Sequence, residues 1–137
     1  PHSEAFGVER VDRSGVDVRA TSLERALVDV LDRPDLGGGW EEIWRSLESV
    51  EYFDLDRVTE YALLLGNATT IAKTGFFLTQ HRERLMVTDA HLDPLRANRP
   101  KSPHYFDRTR KAPARLVEEW NLVVPTAVLD RTWEERP

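Results

Sequence analysis

Thr21-Ser22-Leu23-Glu24-Arg25-Ala26-Leu27-Val28-Asp29-Val30-Leu31 has the spacing of one helical face. Leu23, Ala26, Leu27, Val30 and Leu31 recur in steps of three and four, the period of an amphipathic helix. Thr21 followed by Glu24 fits a capping box, in which the threonine hydroxyl accepts from the Glu24 amide and the carboxylate reaches back to the Thr21 amide. Arg25 and Asp29 lie one turn apart on the other flank, where they can pair with each other or with a group outside the helix. The segment predicts a helix that anchors a core and carries a charged pair at its margin.

Working back towards Pro1, Ala5 to Val11 and Val16 to Ala20 place apolar residues at alternating positions, with Asp12-Arg13-Ser14-Gly15 between them. This pattern predicts a β-hairpin whose second strand feeds the capped helix. The chain begins at Pro1 without a methionine and enters this strand-like run almost at once, so it is expected to be a fragment of a longer protein. Pro34 biases Arg33 away from helical torsions, which ends the helix near Asp32.

Gly37-Gly38-Gly39 forms a connector, after which Trp40, Ile43, Trp44 and Leu47 repeat at helical spacing. Asp54 is a good N-cap for a third helix that turns Leu55, Val58, Ala62 and Leu65 inward and stops at Gly66-Asn67. A fourth runs from about Ala68 to His81, with Ile71, Ala72, Gly75, Phe76 and Thr79 on one side. Gly75 inside it costs roughly 1 kcal/mol relative to alanine, which suggests a close helix crossing. Asp89 to Ala97 predicts a short helix broken at Pro94. His104-Tyr105-Phe106 and Leu116 to Val124 are strand candidates, the latter with Trp120, Leu122 and Val124 in alternation. The expected fold is α+β, a single domain of four to five helices packed beside a small mixed or antiparallel sheet built from both chain ends.

The chain of 137 residues is 40% hydrophobic and 31% charged, ordinary for a globular domain able to bury its own core. It contains no cysteine, which excludes disulfides and thiolate metal sites and fits a cytoplasmic location. No apolar run approaches the ~20 residues of a membrane span, and no signal-peptide core is present. The net charge of −5 hides an asymmetry. Acidic residues dominate from Ser22 to Glu60, whereas Arg96, Arg99, Lys101, Arg108, Arg110, Lys111 and Arg115 face only Asp107 in the next basic stretch.

Few residues suggest chemistry. The glycine run precedes a helix as an anion cradle would, but it follows no strand and leads to no Lys-Ser or Lys-Thr, so a flexible connector is expected. His81, Asp89 and His91 contain metal-ligand types at a spacing that matches no short motif, and structural or solvated histidines are expected instead. Ser46 and Ser49 lie on a helix without an identifiable base, and Glu41-Glu42 reads as a solvated first turn. Trp40 and Trp44 are expected in the core. The basic stretch, interleaved with Tyr105 and Phe106, is a solvated surface, an intramolecular partner for the acidic helices, or a contact for nucleic acid or protein.

The pattern Thr21-Ser22-x-Glu24-Arg25-x-Leu27-x-Asp29 with Gly38-Gly39 downstream resembles the C-terminal domain of AbiEi-type proteins, transcriptional regulators and antitoxins of bacterial type IV toxin–antitoxin systems. Ile71-Ala72-Lys73-Thr74-Gly75-Phe76-Phe77-Leu78 is similar to that family's glycine-containing, aromatic-rich helix, and Trp120-Asn121-Leu122-Val123-Val124 to its C-terminal strand. The resemblance covers roughly Val8 to Val124 and implies a non-enzymatic regulatory domain, without metal or cofactor, that contributes to toxin neutralisation and operon repression. It implies a functional link to a nucleotidyltransferase-type toxin. It also implies contact with operator DNA only through a winged helix-turn-helix that would precede this domain. The carried-over positions are Thr21, Glu24, Arg25 and Asp29, expected to hold the fold, and the basic stretch, expected to contact a partner or nucleic acid. The competing expectation is a small-ligand-binding or enzymatic domain with a polar site near Arg25 and Asp29.

Overall fold

The computed structural model describes residues 15–33, 39–106 and 113–131, and of residues 15–22 only the backbone. The element order is α1 (Gly15–Asp32), α2 (Trp40–Glu48), α3 (Leu55–Leu65), α4 (Ala68–Gln80), α5 (Arg82–Leu85), α6 (Asp89–Ala97), β1 (His104–Tyr105), β2 (Ala114–Val117), β3 (Leu122–Pro125) and α7 (Thr126–Asp130). The architecture is α+β and mostly helical: seven helices among the described residues, rather than four to five, beside a three-stranded mixed sheet.

The first correction concerns the opening stretch. Helix α1 begins at Gly15, so Val16 to Ala20 are helical and Thr21 lies inside a helix, where no N-cap can form. Ala5 to Val11 lie outside the described residues. The buried stripe of α1 is also rotated from the expected one. Leu27, Val28 and Leu31 are fully buried and Glu24 is 3% exposed, while Leu23 is 40% exposed and Ala26 faces solvent. A glutamate therefore occupies a core position that the apolar pattern assigned to leucine. Its Oε2 accepts from the Asp54 backbone N–H at 2.8 Å, so the carboxylate serves the start of α3 and not Thr21.

The helices that follow have clear local causes. Gly39, with extended torsions, is the N-cap residue of α2, while Gly37 and Gly38 lie outside the described residues. The Asp54 carboxylate accepts from the Arg57 N–H at 3.3 Å and caps α3, and Gly66 ends it in the left-handed region at φ 71°. Asn67 extends the stop into a new start, accepting from the Thr70 N–H at 3.1 Å. Helix α6 continues past Pro94 to Ala97 and does not end there.

Helix α4 is the centre of the molecule. Residues 70–78 are all buried, so this helix has no solvent face in its middle and packs against α1, α3, α6 and β3. Trp120 from the β2–β3 turn lies against Gly75, where an added Cβ would stand 2.3 Å from the indole ring. The close approach expected at Gly75 is thus made by a tryptophan side chain and not by a crossing helix. Trp44, fully buried, meets Phe77 at 5.3 Å and Phe106 at 5.8 Å between ring centres, and Trp40 meets Phe106 at 4.3 Å. These aromatic contacts fasten α2 onto α4 and the sheet.

Among the described residues the sheet comes from the second half of the chain: Val16 to Ala20, expected as an N-terminal strand, are helical, and Ala5 to Val11 lie outside the described residues. Its order is β1-β3-β2, with β1 parallel to β3 and β2 antiparallel to β3. The run expected as one strand from Leu116 to Val124 is a hairpin. Residues 118–121 form its turn, and Asn121 takes φ 50° while its side-chain amide donates to the Pro100 carbonyl at 2.8 Å. No described helix is long and apolar enough to cross a membrane.

Candidate functional site

Polar groups converge at three places, and each is held by elements that are distant in sequence. The first joins α1 to α3. Asp29 accepts from the Tyr61 hydroxyl at 2.9 Å, and the Arg25 guanidinium lies 5.3 Å from the centre of the same ring. Tyr61 is only 2% exposed. Burial, followed by the adjacent Asp29 carboxylate, pushes its phenol above the usual tyrosine range, so it stays a donor. Arg25 and Asp29 are thus neighbours, as their spacing predicts, and both turn onto a buried tyrosine.

The second place lies where α2, α4 and α7 end. One carboxylate oxygen of Glu48 meets His81 Nε2 at 2.6 Å and Arg131 at 2.6 Å, and the other accepts from Arg131 at 2.7 Å. His81 Nδ1 faces the Phe77 carbonyl at 2.8 Å. Gln80 extends this network, accepting from the Trp44 indole N–H at 2.6 Å and donating to the Val128 and Leu129 carbonyls. A cavity of about 600 Å³ opens over Glu48, Gln80, His81 and Arg131, with Arg82 and Arg84 on its wall. Sequence reasoning missed this centre because Glu48 lies 33 positions from His81 and 83 from Arg131. Its one available signal was His81 at the end of an apolar helix, and the sequence grouped that histidine with Asp89 and His91.

The structure separates those three. His81 belongs to Glu48, and Asp89 pairs with Arg82 at 3.2 Å. His91 Nδ1 accepts from the Thr88 N–H at 3.0 Å and completes the N-terminal cap of α6. Among the described residues, no group of three or more histidines and carboxylates could hold a metal ion.

The third place is the basic stretch, which divides. Arg96 binds Glu119 at 2.7 Å and Asp93 at 2.8 Å and lies 5.9 Å from the Trp120 ring centre. The Glu119 carboxylate, more than any other group, holds the Arg96 guanidinium in its charged form. Arg115 binds Asp130 at 2.9 Å. Arg99 and Lys101 are exposed on the loop before β1 and make no ion pair among the described residues. Arg108, Arg110 and Lys111 lie outside the described residues. Two of the basic positions therefore fasten the sheet to α6 and α7, and two face solvent.

Buried Lys73, from the aromatic-rich helix α4, is a further group the charge pattern did not single out. Its Nζ donates to the Leu31 carbonyl at 3.1 Å and lies near the Trp40 and Phe106 rings, at 5.7 and 5.6 Å. It places a cation on the orphan carbonyls at the C-terminus of α1, the favourable end for positive charge. Beside it, Thr70 donates to Asp32 at 2.6 Å.

The class defined by these features is an α+β domain whose polar side chains mostly close on one another. Comparison with protein-family models, curated proteins and solved structures gives no match.

Proposed function

We propose that this is a non-enzymatic regulatory domain of the AbiEi type, acting in a bacterial toxin–antitoxin system beside a nucleotidyltransferase-type toxin and, through an N-terminal DNA reader, on its operon. The observation that carries the reading is the engagement of Arg25 and Asp29 with buried Tyr61. The motif Glu24-Arg25-x-x-x-Asp29 is structural in this reading: Glu24 secures the entry to α3, and Arg25 and Asp29 each engage Tyr61 across the α1–α3 seam. A ligand-binding or enzymatic site at Arg25 and Asp29 would need them to line a cleft, and the cavity over His81 is lined by other residues.

In this reading the acting surface includes the exposed Arg99 and Lys101, and Arg108, Arg110 and Lys111 of the same basic stretch, which lie outside the described residues, act with them. The test is a growth-rescue and operon-repression assay with the full-length protein and the neighbouring toxin. Glutamine at those five positions is expected to weaken rescue or repression, while Arg25→Gln lowers stability and spares the activity of whatever protein remains folded. Full activity in a folded five-fold variant would remove the basic stretch from this function. Loss of a specific activity in a folded Arg25→Gln variant would favour the ligand site instead.

A further inference from the structure

Two large apolar side chains stand clear of the core. Tyr52 is 73% exposed and Met86 79%, against 40% to 45% for Leu23, Leu64, Tyr105 and Leu116. Both line one groove of about 310 Å³, between the segment entering α3 and the turn that joins α5 to α6. Glu51, Asp54 and Asp56 line the same groove. Arg84 sets one guanidinium against these three carboxylates and donates to the Val50 carbonyl at 3.0 Å, and the His91 imidazole also lines the groove, with Nε2 3.6 Å from Asp56. The groove is therefore apolar in its walls and acidic in balance.

Met86 is presented there by the backbone. Its N–H donates to the Glu83 carbonyl and the Val87 N–H donates to the Arg82 carbonyl at 2.9 Å, the paired bonds of a Schellman stop. Met86 takes the left-handed position of that stop at φ 59°. Glycine is the usual occupant, because a residue with a β-carbon is strained there. The sequence thus holds a flexible, polarisable thioether in solvent at a site where glycine would serve the fold better.

We infer that this groove docks a cationic, apolar-stemmed peptide segment of a partner protein. Arginine and lysine combine a charged head with an aliphatic stem, matching carboxylates above apolar walls. The head meets Glu51 and Asp56, and the stem lies on Met86 and on the Tyr52 ring, whose face also attracts a cation. Three carboxylates against one guanidinium disfavour an anionic partner such as a nucleic acid or an acidic membrane. The acidic half of the chain acquires a use in this way, and the inference stands apart from the toxin–antitoxin reading.

Met86 is the chain's one methionine, so methyl-labelled protein gives a single methionine methyl resonance, located in the groove. The full chain is titrated with the peptide Ac-Arg-Leu-Arg-Leu-Arg-amide and with the counterpart carrying glutamate in place of arginine. Affinities for the variants are read from the anisotropy of a labelled peptide. The arginine peptide is expected to shift the Met86 methyl saturably, with affinity falling as salt rises. The double variant Glu51→Gln/Asp56→Asn and the variant Met86→Gly should each weaken binding about tenfold or more while remaining folded. Met86→Gly should also unfold at a higher temperature than the parent chain, which separates a docking role from a structural one. Absent binding, equal binding of the glutamate peptide, or binding that leaves the Met86 methyl unmoved would each overturn the inference. A methyl signal that depends on protein concentration alone, with a dimer in sedimentation, would assign the groove to a second copy of the chain and overturn it as well.

Discussion

Gly75 shows how much a single position can decide. An alanine there would gain about 1 kcal/mol of helix propensity. Its methyl would also stand 2.3 to 2.6 Å from three carbons of the Trp120 ring, which is fully buried and cannot swing into solvent. The indole N–H also donates to Thr79, and the Arg96 guanidinium lies over the ring, so its position is fixed from two sides. Overpacking of this kind costs roughly 1–3 kcal/mol and occasionally more. Gly75→Ala is therefore expected to lower the urea midpoint despite its better propensity. Adding Trp120→Leu should restore part of the loss, giving a coupling that a double-mutant cycle can read. The glycine was visible in the sequence as an anomaly; the ring that requires it was not.

At the scale of elements, Glu24 links α1 to α3 at a cost. Its Oε2 accepts from the Asp54 N–H, whereas its buried Oε1 has no hydrogen-bond partner among the described residues. Burial, against the lowering effect of that backbone bond, pushes the carboxyl above its ordinary value of 4.5. The folded chain therefore holds this proton more tightly than the unfolded chain does. The associated stability is fully present below the ordinary value and is lost as pH rises through the folded one. Glu24→Gln keeps an acceptor for Asp54 and removes the ionisation. It should raise the urea midpoint at about pH 8, with the gain shrinking towards about pH 4. A gain that is the same at both ends of that range would show that Glu24 ionisation does not couple to folding. The apolar pattern of α1 was legible, but its phase was not, because a run with leucine, valine and alanine on several sides offers two possible stripes. The neighbours of α1, namely α3 and α4, select the stripe containing Glu24, Leu27, Val28 and Leu31.

Across the whole molecule, Glu48 closes the fold. Its carboxylate joins the end of α2 to His81 at the end of α4 and to Arg131 beyond α7, so one side chain ties an early helix to the last described turn. Hydrogen bonds to a charged group are worth about 1.5–3 kcal/mol each, and removal of the charge leaves both partners facing a weaker acceptor. Glu48→Gln is expected to cost about 2 kcal/mol or more by urea unfolding. It should also increase proteolytic cleavage near Arg131 before global unfolding. An unchanged midpoint would mean that α7 is held by the Gln80 bonds and Val128 packing alone.

The sequence by itself determined the elements whose causes are local. Asp54 and Gly66 bounded α3, Trp40, Ile43, Trp44 and Leu47 marked α2, and the absence of cysteine excluded disulfides. The placing of Arg25 and Asp29 on one flank of α1 was also written in a one-turn spacing, whereas their common partner Tyr61 was not. Only the tertiary structure decided the start and phase of α1, the sheet built from residues 104–125, and the centrality of α4. It alone joined Glu48 to Arg131 and set Tyr52 beside Met86. The physical reason is range: caps, turns and periodicity act within one or two helical turns, whereas burial and ion pairing depend on residues brought together from dozens of positions apart.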